Sequence, residues 1–270
     1  MTIKTPIKLG LAGWAALALA LAGCGAVEKG DGSSDAPADG AAAIETIKEG
    51  VLTVCTNPPY APFEDNAGGQ VVGFDMDLTS EMAKDLGLEI AFVEAPFESI
   101  ESAASFDTGS CDVGASALTI TADREAKLDF SNPYYETTMG LLVKEDSGIT
   151  DLAGLKDKPV GVQQGTTGED WARAQPELTQ IKQFEGLGDQ VTALKAGEVA
   201  GIFNDEPTLT PYAGEGFAVV GSFNTGEQFG FAVKTGNTAL LEAVNATLER
   251  VNSDGTYESL IEKWFATAAE

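Results

Sequence analysis

Short apolar runs and longer stretches of helical spacing alternate along most of this chain, and that alternation predicts layers of strand and helix in an α/β fold. Residues 51–56 form the first apolar run and read as a strand. A hairpin-like excursion through Gly68-Gly69-Gln70-Val71-Val72 leads to Asp75. This acid is placed to cap a helix on which Leu78, Met82, Ala83 and Leu86 share one face and which Gly87 stops. Residues 88–93 alternate as a strand, 99–106 read as a helix, 111–116 as a further strand, and 139–143 are apolar and β-prone. The alternation then begins afresh, with strands at 159–163, 181–184 and 199–203 and helices from about 167, over 187–197 and from about 206. A strand at 229–233 and two helices near 237–252 and 255–265 close the chain, the last holding Leu260, Ile261, Trp264 and Phe265 at amphipathic spacing. At 270 residues there is room for two modest lobes, each with its own core.

The N-terminal pattern differs. Lys4 and Lys8 precede a continuous apolar run over residues 9–23, short for a bilayer-spanning helix of roughly 20 residues and shaped like a secretory signal. It ends in Leu21-Ala22-Gly23-Cys24, which resembles a bacterial lipobox. Residues 1–23 are therefore expected to be removed and Cys24 to carry lipid, against the plainer reading of an ordinary signal with an incidental cysteine. Residues 24–43 are mostly Gly, Ala, Ser and Asp and read as a flexible tether. Together these features predict an exported protein anchored by lipid to the outer face of the cytoplasmic membrane.

The formal net charge of −26 disfavours nucleic acid and anionic lipid as partners, which need clustered Lys and Arg, and otherwise serves solubility. Histidine is absent, which removes His-based triads and imidazole metal sites; neither a metal nor a cofactor is expected. After lipidation two cysteines remain, Cys55 and Cys111, and an even pair in an exported domain invites a disulfide. Against it, Cys55 lies near one end of the first strand while Cys111 begins a later one, a parallel register that would leave their Cα atoms beyond the roughly 7 Å limit. The sequence leaves that pairing open.

Candidate chemistry gathers at strand ends. A short apolar strand runs out into Ser116-Ala117-Leu118-Thr119-Ile120-Thr121-Ala122-Asp123-Arg124, where hydroxyls and one arginine suit an anion, because a guanidinium grips a carboxylate with two parallel hydrogen bonds. Gly165-Thr166-Thr167-Gly168-Glu169 follows another strand and opens a helix, offering backbone N–H groups to the same kind of group. Asp205 follows the apolar run 199–203 and supplies the opposite charge. Two carboxylate-gripping elements and one ammonium-gripping acid describe a receptor for a zwitterion such as a free amino acid.

Further blocks stand in order along the chain: Tyr60-Ala61-Pro62-Phe63-Glu64, Gly73-Phe74-Asp75-Met76-Asp77-Leu78, Asp129-Phe130-Ser131-Asn132-Pro133-Tyr134-Tyr135, Gly161-Val162-Gln163-Gln164 before Gly165, then Gly255-Thr256-Tyr257 and Trp264-Phe265. With the segment from Ser116 to Arg124 they make residues 50–265 similar to the family 3 extracellular solute-binding proteins, the amino-acid receptors of ABC importers. The resemblance implies a type II periplasmic-binding-protein fold: two α/β lobes joined by two crossing strands, with the ligand in the inter-lobe cleft. It places lobe 1 at 44–139 and 232–270, lobe 2 at 140–231, and the crossings at 139–143 and 222–233. It also implies a free L-amino acid as ligand, an ABC transporter permease as partner, a monomer that closes by a hinge, and no catalysis.

Residue by residue, Arg124 matches the family's clamp for the α-carboxylate; by itself it reads as a surface pair with Asp123 or Glu125. Asp205 matches the acid that holds the α-ammonium and stands equally where a helix N-cap would, before Glu206-Pro207. Thr119 matches a ligand-facing hydroxyl, and Ser116 and Ala117 match neighbouring positions, Ala117 with only its backbone to offer. Thr167 would act through its N–H at the helix start, Tyr60 and Phe97 match aromatic positions around the ligand side chain, and Gln163 reaches that pocket. Asn57 stands where several relatives carry Asp, which leans the expectation away from basic amino acids and toward polar or acidic ones, glutamine or glutamate for example. Two alternatives accompany this reading. One is a cyclohexadienyl (arogenate or prephenate) dehydratase on the same fold, with Asp205, Glu206 and Glu98 as candidate acids; the other is a lipid-anchored amino-acid sensor.

Overall fold

The computed structural model describes residues 44–266 apart from 215, so the expected signal peptide, the tether and Cys24 lie outside the described residues. The first half builds β1 (Val51–Thr56), the hairpin β2 (Asp65–Ala67) and β3 (Gln70–Val72), α1 (Phe74–Leu86), β4 (Glu89–Glu94), α2 (Phe97–Glu101), α3 (Ala104–Asp107), β5 (Val113–Gly114), α4 (Ala122–Glu125), β6 (Leu128–Phe130) and β7 (Tyr135–Lys144). It continues through β8 (Pro159–Gln163), α5 (Thr167–Ala174), β9 (Gln180–Phe184), α6 (Leu187–Ala196), β10 (Gly201–Asp205), α7 (Glu206–Leu209), β11 (Phe217–Phe229), β12 (Ala232–Lys234), α8 (Thr238–Ser253) and α9 (Thr256–Phe265). Two five-stranded mixed sheets result, in the orders β4-β1-β5-β12-β6 and β11-β7-β10-β8-β9.

The first sheet is parallel across β4, β1 and β5 and antiparallel where the returning β12 joins β5 and β6. All six residues of β1 are buried, as expected of a strand covered on both faces. On α1 the predicted apolar positions Leu78, Met82 and Ala83 are buried, and Gly87 ends the helix at φ 65°, its N–H bonded to the carbonyls of Ala83 and Lys84. Asp75 is not the cap. Gly73 holds that place at φ 149°, where an added Cβ would lie 2.0 Å from the Phe63 carbonyl oxygen, so only glycine fits and the helix starts ahead of the acid. Asp75 turns inward instead and accepts from the Ala117 N–H at 2.9 Å and the Tyr134 hydroxyl at 2.8 Å.

Three further expectations change. The helix expected over 99–106 is two short ones, α2 and α3, divided by Ala103 at φ 74°. The strand expected over 111–116 hydrogen-bonds into the sheet only at Val113–Gly114. Cys111 therefore arrives in a bend rather than in a parallel register; its Cα lies 5.5 Å from that of Cys55 and the two are bonded as a disulfide. The strand expected at 199–203 runs from Gly201 to Asp205. Residue 217 onward forms a long strand, β11, that the apolar pattern did not announce, since most of it is only half-buried and Ser222, Asn224 and Gly226 are exposed along β7.

The passages between the lobes also differ from expectation. Residues 139–143 lie wholly within the second sheet, paired with β10 on one side and β11 on the other. The chain passes from sheet to sheet earlier, between β6 and β7, and returns at Gly230 and Phe231 between β11 and β12. These two passages are bonded to each other, Tyr134 N–H to the Phe229 carbonyl and Ser131 N–H to the Phe231 carbonyl, both at 2.9 Å. Edge-to-face contacts of Phe63 with Tyr135, Phe229 and Phe265 pack around them.

Candidate functional site

Strand ends from both sheets converge on one narrow cavity of about 20 Å³, well below the range for open ligand pockets. The first lobe contributes Tyr60 after β1, Phe97 at the start of α2, the loop Ser116, Ala117 and Thr119 after β5, and Arg124 on α4. Facing them, the second lobe contributes Gln163 at the end of β8, Thr167 at the start of α5 and Asp205 at the end of β10. The nine residues expected to contact the ligand line this cavity together with Asn57, and Glu64 and Thr166 complete the lining.

Arg124 is 4% exposed. Thr121 caps the short α4 by accepting from the Arg124 N–H, which turns the side chain into the cleft. Its Nη1 donates to the Thr119 carbonyl at 2.8 Å, its Nη2 donates across the cleft to the Gly165 carbonyl at 2.9 Å, and the guanidinium lies 5.3 Å from the centre of the Phe97 ring. Its acidic neighbour is Glu101, at 3.7 Å, and not Asp123 or Glu125. Burial pushes the Arg124 pKa down from its ordinary value, and the charges of Glu101, Glu227, Asp205 and Asp170 oppose that. A guanidinium has five N–H donors, so the carbonyl bonds leave donors free for an anion.

Asp205 occupies the N-cap position of α7, but its side chain makes no capping bond. Its Oδ2 accepts from the Tyr60 hydroxyl at 2.5 Å, while Oδ1 is buried with no partner among the described residues. Burial pushes its carboxyl up to about 7, helped by the charge of Glu227; the hydrogen bond from Tyr60, the nearby Thr137 hydroxyl and the charge of Arg124 pull the other way. A buried charged oxygen without a partner costs more than the about 1–3 kcal/mol of a neutral one, and a donor of positive charge relieves it.

Thr166 caps α5: its hydroxyl accepts from the Glu169 N–H at 3.1 Å and donates to the Gln163 carbonyl at 2.7 Å. The Thr167 N–H stands ahead of the first intrahelical bond, at the positive end of the helix dipole. Gln163 spends its amide nitrogen on Asn57 Oδ1 across the cleft at 2.9 Å and on the Glu185 carbonyl at 3.1 Å. Gln164 reaches over to Glu98 at 2.7 Å. With the Arg124 and Tyr60 bonds, these hold the lobes closed on each other.

Ala117 adopts φ 45°, a left-handed conformation that costs a non-glycine residue of order 1–3 kcal/mol, and the bond from its N–H to Asp75 fixes it. Asp75 lies fully buried below the loop, its carboxyl pushed up to about 7 by burial against the bonds from Ala117 and Tyr134. Sequence reasoning passed over Glu64, although it ends the quoted block that begins at Tyr60. It is fully buried, takes the Ser116 hydroxyl on Oε1 at 2.6 Å and lines the cavity. Two acids considered for an enzyme point elsewhere: Glu98 bonds Gln164, and Glu206 takes the hydroxyls of Thr138 and Ser222. Among the described residues no group of three or more His, Cys, Asp or Glu side chains is placed to hold a metal ion, and no helix is long and apolar enough to cross a membrane.

The model for bacterial extracellular solute-binding proteins, family 3, matches residues 52–267. The chain belongs to this family. The ABC transporter glutamine-binding protein GlnH of Bacillus subtilis is 32% identical over 252 residues, covering 90% of this chain and 91% of that one. Among solved structures, an ancestral arginine-binding protein bound to arginine superposes with a TM-score of 0.75 at 36% identity, over 80% of this chain and 98% of that one. The ancestral amino acid-binding protein AncCDT-1, described as a precursor of cyclohexadienyl dehydratase, superposes with a TM-score of 0.75 at 37% identity, over 80% of this chain and 96% of that one. Family 3 membership and these neighbours fit the two-lobed type II architecture and the placement of the cavity between the lobes.

Proposed function

We propose that this family 3 protein captures a free L-amino acid outside the cytoplasm by closing its lobes around it, and delivers it to the permease of an ABC transporter. One observation carries the reading. A buried guanidinium with spare donors and a buried carboxylate with a lone oxygen face one cavity from opposite lobes, the complement of an amino-acid head group. Arg124 and the Thr167 N–H take the carboxylate, and Asp205 with the Thr119 hydroxyl takes the ammonium. Tyr60 and Phe97 pack on the side chain, and the Ser116–Ala117 loop supplies backbone. The ligand joins the lobes, so it binds the closed form preferentially and shifts the population toward it.

The side-chain end favours a neutral polar amino acid such as glutamine. Its polar wall is the Asn57–Gln163 amide pair, and among the described residues Arg124 is the only cation lining the cavity, so a second ligand carboxylate such as that of glutamate finds no partner there. Calorimetric titration of ligand-stripped protein with each common L-amino acid tests this. Tight binding of one or a few polar members supports the reading, and binding of none defeats it. Prephenate and arogenate belong in the same series, because AncCDT-1 stands among the neighbours; aromatic product from either would replace capture by dehydration. Lipid attachment at Cys24 is tested separately: wild type is expected in the membrane fraction and Cys24→Ser in the medium or periplasm. Transport and sensing separate by whether deletion abolishes uptake.

A further inference from the structure

We propose that Glu64 is a second acceptor for the ligand ammonium, so that the ammonium is held between one carboxyl from each lobe, Glu64 from the first and Asp205 from the second. This rests on the amino-acid-binding reading above. Glu64 lines the cavity at 0% exposure, and its Oε2, like Asp205 Oδ1, is buried with no partner among the described residues. The other oxygen of each acid is fixed by a neighbouring hydroxyl, Ser116 for Glu64 and Tyr60 for Asp205. Both carboxyls are thus held in one orientation with one open acceptor. A primary ammonium carries three N–H donors. Asp205 and the Thr119 hydroxyl account for two of them, and Glu64 Oε2 supplies the third acceptor from the lobe opposite Asp205.

Charge supports the assignment. Glu64 feels Asp75 and Asp205, while Arg124, the one cation lining the cavity among the described residues, is engaged with carbonyls and the acid side of the ligand. Burial first, and then those two acids, push the Glu64 carboxyl well above the usual carboxylate range, and a cation placed between Glu64 and Asp205 reverses that penalty. The groups around it are Asp75 on α1, Ser116 after β5, and Asp205 on β10 with the Tyr60 hydroxyl bonded to it. An acceptor on each lobe also makes the ammonium, and not the carboxylate alone, a fastening between the lobes, which selects primary amines over N-methylated or α-hydroxy analogues.

The experiment compares wild type with Glu64→Gln, a change that keeps the shape and the acceptor for Ser116 but turns a donor toward the ammonium. L-glutamine and L-arginine are titrated first, and the tighter of the two is paired with its α-hydroxy analogue. Glu64→Gln is expected to weaken the amino acid at least tenfold and to leave the α-hydroxy analogue within twofold of wild type. An equal loss for both compounds, or for neither, overturns the assignment, since a purely structural acid does not distinguish them. If Glu64→Gln does not fold, a crystal structure of wild type with the amino acid decides. An ammonium nitrogen within hydrogen-bond distance of Glu64 and Asp205 supports the proposal; a nitrogen turned from Glu64 ends it. Failure of wild type to bind any common L-amino acid removes the binding reading itself and this inference with it, a result distinct from normal binding that ignores Glu64.

Discussion

Arg124 was legible because cations are scarce in this chain and it follows a strand running into hydroxyls; the structure buries it against carbonyls from both lobes. Removing one partner of a desolvated charge pair costs about 2–5 kcal/mol, so Arg124→Ala is expected to weaken amino-acid binding by at least about thirtyfold in calorimetry. Asp205 brings a pH dependence. Its carboxyl stands at about 7 without a cation beside it, and an ammonium needs the ionised form. Affinity should hold above pH 7 and fall about tenfold per unit well below it; titrations from pH 5 to 8 that show a flat affinity would refute this. Asp75 acts on stability in the opposite sense. Its folded value of about 7 exceeds an unfolded one of about 3.9, so its contribution is complete below about pH 4 and is lost as pH rises through about 7. Ligand-free protein should melt lower at pH 8 than at pH 5, with a shallower decline in Asp75→Asn. Glu64 escaped sequence reasoning for a physical reason: an acid inside an apolar block reads as a strand-edge residue until the fold shows it with no water around it.

Among the elements, those with a full apolar face were readable, such as β1 and α1, and those held by partners or by backbone geometry were not. Strand β11 is mostly half-buried, with Ser222, Asn224 and Gly226 exposed, and exists because β7 offers it a long edge, which no local pattern announces. The start of α1 depended on Gly73 meeting the Phe63 carbonyl, a contact between loops that spacing does not encode. Gly73→Ala is expected to express poorly or melt early, since the new methyl meets backbone that cannot swing aside. The Cys55–Cys111 bond was undecidable for a similar reason, because its geometry turned on whether Cys111 lies in a strand or in the bend before one. Both sulfurs belong to the core beneath Phe97, with Ile100, Phe106 and Leu128. Replacing the pair by serine should cost about 2–4 kcal/mol, and lower the melting temperature by about 4–16 °C, in differential scanning calorimetry.

At the scale of the molecule, length left room for two lobes and the family resemblance supplied their order, but neither located where the chain changes lobes. The resemblance made Met139 and its neighbours a crossing, while their sequence read as apolar and β-prone; they are apolar because they sit in mid-sheet, flanked on both sides. On the capture reading, small-angle scattering should show the ligand-stripped protein contract when its amino acid is added, and Arg124→Ala should contract less. The two lobe-to-lobe passages are laced together by the rungs from Tyr134 to Phe229 and from Ser131 to Phe231. Two separate threads would let the halves slide and twist independently; a ladder of this kind flexes as a single leaf, about one axis. The jaws therefore meet in the same alignment at each stroke, and accuracy at the far end of the cleft is set by a few backbone amides at its root.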